Sequence, residues 1–379
     1  MISYWEQESL TSFDHIVVGS GLVGLSTAIE LKTSFPTQRV LILERGILPS
    51  GASSRNAGFA CMGSVTELLD DLKNRSESET IALFCLRKTG LERLRKRLGD
   101  SSIGYAENGS FELIGDTELY AIEKIAYLNQ LLSPFVGCNP FSLANGKIEQ
   151  FGFSSFYSKA LIQNHLEGEL HTGKMMRALT DFAIHLGVEI KTGANVLNLI
   201  SEKKSVRIEV EDTLRKLPIT LKASSATLCT NGFTQLLFPL EDVTPGRGQV
   251  LITEPIPKLK FKGIFHLDCG YYYFREIDKR ILIGGGRNLD FNTETTTEMA
   301  LNNTIQNELE NKLRNLIIPD TPFAVAQRWS GIMAFGSSKQ PIVKSLSHNI
   351  FGVFRMGGMG VALGSEVAKQ VVELIQQNH

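Results

Sequence analysis

Short apolar runs alternate along this chain with longer stretches in which apolar residues recur at helical spacing. Ile16-Val17-Val18 runs straight into Gly19-Ser20-Gly21-Leu22-Val23-Gly24, and an amphipathic stretch follows at once. A second run, Val40-Leu41-Ile42-Leu43, stops at Glu44. Similar runs predict strands over 110–114, 188–191, 195–197, 249–253, 271–275, 280–284 and 350–354, with another ending at Ala226-Thr227-Leu228-Cys229. Helical spacing predicts helices over 79–98, 117–132, 174–186, 293–316 and 365–376. Strand–helix alternation at both ends of the chain predicts an α/β fold. No internal repeat or low-complexity tract interrupts it.

The first strand, turn and helix carry chemistry. A strand entering Gly-x-Gly-x-x-Gly at the start of a helix is the phosphate turn of a dinucleotide-binding βαβ unit. Gly19 permits the tight turn, Gly21 lets a pyrophosphate approach the backbone, and Gly24 lets helix and strand pack. The helix N-terminus then presents unpaired N–H groups to the phosphates. Glu44 lies twenty residues past Gly24, where a carboxylate that binds ribose hydroxyls is expected. Arg45 follows it.

Composition narrows the class. The chain has 379 residues and a formal net charge of −1, which favours neither nucleic acid nor an anionic membrane. Its length suits two domains or one large one. No apolar stretch is long enough to span a bilayer. Residues 1–11 are polar and acidic, without the apolar core of a secretory signal. The five cysteines, 61, 85, 138, 229 and 269, show no C-x-x-C spacing, and the seven histidines form no H-x-x-x-H pair. No metal site is expected, and scattered thiols suit a reducing, cytoplasmic setting. Cys61 reads as a packed thiol. Arg87, Lys88, Arg93, Arg95, Lys96 and Arg97 crowd one helix, which reads as a solvated face rather than an acidic-partner site, because leucines at 86, 91, 94 and 98 give it an apolar stripe.

Three further segments point to FAD rather than a nicotinamide. Gly51-Ala52-Ser53-Ser54-Arg55-Asn56-Ala57-Gly58 is small, polar and glycine-rich, and follows the second strand directly. Thr230-Asn231-Gly232 ends a strand in a polar turn. Met356-Gly357-Gly358-Met359-Gly360-Val361 joins the last strand to the last helix, so a second helix N-terminus can face the flavin ring. In these four places, and in the segment Trp329–Val361, the chain resembles the D-amino-acid oxidase superfamily of FAD-dependent oxidoreductases, which includes glycine oxidase, sarcosine oxidase and γ-glutamylputrescine oxidase.

The resemblance implies a glutathione-reductase-type Rossmann FAD-binding domain (1–75, 165–240 and 330–379) interleaved with a β-sheet-plus-helices substrate domain (76–164 and 241–329). It implies FAD contacts from Gly19 to Gly24, Glu44, Arg45, Ser53 to Gly58, the Val196 backbone near the adenine, Thr230 to Gly232, Gly331 and Gly357 to Val361. It implies hydride transfer from a C–H bond next to nitrogen, or in some members oxygen, to flavin N5. Relatives that attach their flavin covalently use a Cys near position 333 or a His in the 51–58 stretch; neither is present, so noncovalent FAD is expected.

For the substrate, period two places Tyr271, Tyr273 and Arg275 on one strand face. The resemblance puts Tyr271 at the pocket; an ordinary half-buried aromatic strand is the other reading. Arg328-Trp329-Ser330-Gly331-Ile332-Met333 matches the family's W-x-G-hydrophobic-Arg, with Met333 where the carboxylate-clamping Arg stands. Trp329 and Met333 join the expected lining. Arg247, Arg287 and Arg355 are the candidate replacements. The expected enzyme is an amine or amino-acid oxidase or dehydrogenase that makes the imine, with O2 or another electron acceptor. The alternatives are a 2-hydroxy-acid oxidase or dehydrogenase using His266 as base, and a flavin-binding subunit without its own substrate chemistry. Substrate identity, acceptor and oligomeric state are not encoded in any motif.

Overall fold

A computed structural model describes residues 2–214 and 217–378; Met1 and His379, the outer ends of the expected segments, lie outside the described residues. Strand Ser12–Val18 runs parallel to Val40–Leu43 on one side and to Ile219–Leu228 on the other. The sheet extends to Glu189–Lys191 beyond the first neighbour and to Ile350–Phe354 beyond the second. All four residues of Val40–Leu43 and all five of Ile350–Phe354 are buried, as strands covered on both faces must be. Helices Leu22–Ser34, Glu77–Leu98, Thr172–His185 and Gly360–Asn378 cover one face through a single apolar cluster. The antiparallel strands Val196–Ser201 and Val206–Val210 pack on the other. The parallel strands all end on one side, at Gly19, Glu44, Cys229 and Arg355, which is where ligands sit in open α/β sheets.

The second sheet is mostly antiparallel. Its order is Val325–Phe335, Thr244–Thr253, Arg280–Gly285, Tyr272–Ile277, Ile264–Leu267, Ser110–Ile114, Ala160–Asn164 and Phe141–Leu143. One face is an apolar core in which Phe265 stacks on Phe274 at 4.6 Å and on Phe111 at 5.2 Å. The other face presents the register row Trp329, Val250, Gly284, Tyr273, His266 and Glu112. That row is the side turned to the first sheet's ligand end.

Three local expectations fail for tertiary reasons. Residues 293–302 are not helical; the helix is Asn303–Lys312, continued by a π-helical turn, Leu313–Ile317. Glu294 is instead drawn inward, its backbone and side chain bonded to Arg247, and Asn302 caps the helix by accepting from Thr304 N. The predicted helix 117–132 is broken into Asp116–Glu118, Tyr120–Glu123 and Ile125–Val136, with buried Glu118 accepting from Cys269 N at 2.8 Å. The basic helix is not a solvated face. Buried Arg87 donates to Met62 O, Arg93 pairs with Glu366 at 2.7 Å, Arg95 grips Asp100 with two 2.8 Å bonds, and Arg97 pairs with Glu30. The carboxylates of neighbouring helices, not solvent, take up its charge.

Candidate active site

A cavity of about 1240 Å³ runs from the first sheet's turns to the exposed face of the second. At the end formed by the first sheet's turns the backbone does the shaping. Gly19 has φ +103° and donates its N–H to Leu43 O at 2.8 Å. A Cβ on Gly24 would lie 1.9 Å from Gly19 O, so only glycine lets helix and turn meet. Glu44 is fixed by three donors: Ser20 N at 2.9 Å, Ser20 Oγ at 2.8 Å and Gly46 N at 2.9 Å. The Arg45 guanidinium lies 4.4 Å from the Phe233 ring, and both line the cavity, as do Ala194, Asn195 and Val196.

The middle of the cavity is a braced loop. Ala52–Ser54 forms a single 3-10 turn whose Ser53 Oγ accepts from Leu22 N at 2.9 Å. Arg55 donates to Ser50 O and Ser330 O at 2.8 and 3.0 Å. Asn56 Oδ1 accepts from Gly58 N and Thr172 Oγ1. Asn231, in the left-handed region at φ +46°, accepts from Met356 N at 3.2 Å and so ties one glycine turn to the other.

Most expected cofactor residues line this cavity: Gly19, Gly21, Leu22, Val23, Glu44, Arg45, Ser53, Arg55, Asn56, Ala57, Val196, Thr230, Asn231, Gly331 and Gly357 to Val361. Ser20, Gly24, Ser54, Gly58 and Gly232 lie behind it. Ser20 holds Glu44, and Ser54 Oγ turns back to Pro49 and Gly51 carbonyls. A Cβ on Gly58 would meet Leu170 O at 2.2 Å, and one on Gly232 would meet Met333 O at 2.6 Å, so both are close-approach positions.

At the end of the cavity formed by the second sheet, Tyr271, Tyr273 and Met333 line the wall, with His266, Val250, Phe291, Met299 and Phe335. Tyr271 is in the hairpin turn before its expected strand, after three positive-φ residues, Asp268, Cys269 and Gly270. Tyr273 is enclosed, and burial pushes its hydroxyl pKa up to about 12. Trp329 does not line the cavity. Its Nε1 donates to Arg55 O at 2.9 Å and its ring packs with Ala57, Phe59 and Val250, because the loop needs a brace there. Arg275, expected on the Tyr273 face, is buried and donates to Leu170 O at 2.8 Å and to Gly58 O at 3.2 Å.

One wall was not foreseen. Glu67, Asp70, Asp71, Arg75 and Arg87 reach the cavity from helix Val65–Asn74 and its neighbours. Burial opposes ionisation of Glu67, yet His266, the Ser64 amide and Arg87 together hold its carboxyl below the usual range. In sequence Glu67 is simply the last residue of a Ser-x-x-Glu capping box, which the structure confirms, and nothing there marks a cavity role. Three cysteines also face the cavity. Burial pushes the Cys61 thiol well up, Cys229 to about 12 and Cys269 to about 11.

A Rossmann-type unit whose glycine turn opens into a cavity roofed by a second, antiparallel sheet defines a dinucleotide-dependent oxidoreductase. The chain belongs to the DAO family, the FAD dependent oxidoreductases, whose profile matches residues 14–374. No curated protein sequence matches it. Among solved structures it is similar to L-proline dehydrogenase from P. horikoshii, with TM-score 0.77, 16% identity and coverage of 97% of this chain and 94% of that one. It is similar to glycine oxidase from Geobacillus kaustophilus, with TM-score 0.76, 19% identity and coverage of 97% and 95%. L-amino acid deaminase from Proteus vulgaris follows, with TM-score 0.75, 17% identity and coverage of 97% and 94%. At such identities these structures establish the shared fold. No helix among the described residues is long and apolar enough to cross a membrane.

Proposed function

We propose that the chain binds FAD noncovalently and oxidises the C–N bond of an amine or amino acid to the imine. FAD held by these residues would supply the hydride acceptor and the link to O2 or another electron acceptor. The observation that carries this reading is the continuity of one cavity, from the Gly19–Glu44 turn to the sheet face bearing Tyr273, His266 and Met333. The activities for which the similar structures are named, a proline dehydrogenase, a glycine oxidase and an amino acid deaminase, support the substrate class.

The chain's residues fit the cofactor. The left-handed Gly19 and the clash that any Cβ on Gly24 would meet make a cradle shaped for a pyrophosphate, and Glu44 is held where ribose hydroxyls are expected. Two helix N-termini, at Leu22 and Gly360, open onto the cavity and favour negative charge. The cavity-facing thiols are kept protonated by burial, which supports noncovalent attachment. We divide the labour as the sequence suggests: the first sheet with its helices holds cofactor, and the second sheet holds substrate.

Imine formation needs little beyond orientation and a place for the proton on nitrogen. His266 suits that place. It is buried, lines the cavity, and its Nε2 has no hydrogen-bond partner among the described residues. The same atom would accept a hydroxyl proton, which keeps the 2-hydroxy-acid reading as the second one. The test is anaerobic mixing of the yellow protein with paired amines, amino acids and 2-hydroxy acids. Loss of visible flavin absorption with a nitrogen compound supports the first reading; loss only with a hydroxy acid replaces it with the second.

A further inference from the structure

Several arginines surround the cavity, and their commitments differ. Arg247 is 4% exposed and bidentate to the fully buried Glu294, at 2.9 and 2.8 Å. Arg355 pairs with Asp242 and donates to Gln340 O at 2.9 Å. Arg55, Arg87 and Arg275 are spent on backbone carbonyls. Arg75, which also has an unpartnered nitrogen, shares its wall with Asp70, Asp71 and Glu79. Arg287 alone stands at the aromatic end without an ion pair among the described residues. Its guanidinium lies 4.4 Å from the Phe335 ring centre and 5.0 Å from that of Phe291. Its Nε is buried with no partner, and its one side-chain hydrogen bond is a long 3.4 Å contact from Nη2 to Thr295 Oγ1.

The seat for this side chain is built. Gly246 lies directly opposite Met333 in the strand register. A Cβ on Gly246 would fall 2.4 Å from the Phe335 ring and 2.9 Å from Arg287 Cζ, and one on Gly248 would fall 2.8 Å from Met333 Cε. The two successive inward positions 246 and 248 are therefore glycine, and Phe335, Arg287 and Met333 lie over the bare backbone. Alternation sends Arg247 and Gln249 to the opposite face, where both bond Glu294 and so anchor the 287–302 segment that carries Arg287 and Phe291. Two aromatic faces flanking a guanidinium stabilise its charge and leave its edge free to donate.

We infer that Arg287 is the anion-binding residue of the substrate site and that the substrate is an amino acid, held by its carboxylate beside Met333. A free, planar guanidinium edge matches a carboxylate by paired charge-assisted hydrogen bonds. Met299, Phe291 and Met333 give the rest of the molecule an apolar flank. This inference rests on the reading of the cavity as an amine-oxidising site, and it selects amino acids over simple amines within that reading.

The test is titration of FAD-loaded protein with benzoate, a carboxylate that cannot be oxidised there, and with neutral benzamide as its isostere. Calorimetry and the shift of the visible flavin band both read binding. Arg287→Met should weaken benzoate about tenfold or more, with Arg287→Lys between it and the parent, while benzamide affinity stays level. Unchanged FAD content and melting temperature establish that each variant is folded. Equal benzoate affinity in parent and Arg287→Met, or no benzoate binding to the parent, overturns the inference. The titration reads out even if no amine reduces the flavin, so its failure and that of the amine reading are separable.

Discussion

The two ends of the cavity are made from different parts of the polypeptide. The end we assign to the nucleotide is main chain: a left-handed Gly19, the close pass of Gly24 under its carbonyl, and one carboxylate held by nearby amides. The end we assign to substrate is side chains: His266, Tyr273, Arg287, Phe291 and Met333, delivered by different strands and by a strap pinned through the Arg247–Glu294 pair. A backbone cradle is encoded within thirty residues of chain. A side-chain site is encoded only by the way distant segments meet.

Substitutions should separate the two. The largest effect is expected for Gly24→Val, because a Cβ there falls inside the Gly19 carbonyl. Strain well above the usual overpacking cost of about 1–3 kcal/mol should leave the purified protein without FAD, read from its absorption spectrum. Retained FAD would show that the cradle is not backbone-limited.

Glu294→Ala strikes the other end. It strands the buried Arg247 charge, which should cost about 3–5 kcal/mol, read as a lowered thermal midpoint. It should also loosen the strap carrying Arg287, so benzoate affinity falls with it while FAD remains bound. Loss of FAD in parallel would mean the two ends are not built independently.

Glu112, beside His266 in the register row, gives a pH signature to the second sheet. Burial raises its carboxyl to about 7 from an ordinary value of 4.5. The folded chain therefore holds this proton where the unfolded chain has lost it. Stability from this group is present below pH 4.5, declines as pH rises through the window to about 7, and is flat above it. The decline is on the order of 2–4 kcal/mol, and Glu112→Gln should remove it. Melting temperatures at several pH values, parent against variant, check the slope.

The smallest effect is expected at the seam. Cys61 Sγ lies 3.7 Å from Met359 Sδ, and its thiol is kept protonated by burial. Cys61→Ala should cost about 1 kcal/mol in packing and leave FAD content unchanged. A matching loss of flavin reduction would give the thiol a redox role that its surroundings argue against.

The same contrast explains what could be read from the sequence. The Gly19–Gly24 turn, Glu44 and the strands Ser110–Ile114 and Ile350–Phe354 are local signals, set by period and by glycine, and they fall where expected. A dinucleotide follows from the turn and Glu44; FAD in particular follows from the 51–58, 230–232 and 356–361 segments, and the family match agrees. The misreadings are all non-local. Residues 293–302 have helical spacing, but the buried Arg247 recruits Glu294 out of it; the run Thr295-Thr296-Thr297 is the one local hint against a helix. The basic helix looked solvated because the carboxylates that neutralise it, Glu30 and Glu366, belong to other helices. Trp329 looked like substrate lining because its indole partner, Arg55 O, is 274 residues away. Of the three candidate arginines, Arg287 is distinguished by having no ion pair among the described residues, and a sequence does not record partners.

The central claim is that this cavity removes hydride from carbon next to nitrogen. The direct measurement is anaerobic reduction of the bound flavin by D- and L-phenylalanine, set against D- and L-phenyllactate at equal concentration. These pairs share the ring and the carboxylate and differ only in nitrogen for oxygen. The account predicts that an amino acid bleaches the flavin and the hydroxy acids do not. Bleaching by phenyllactate with no response to either phenylalanine would contradict it.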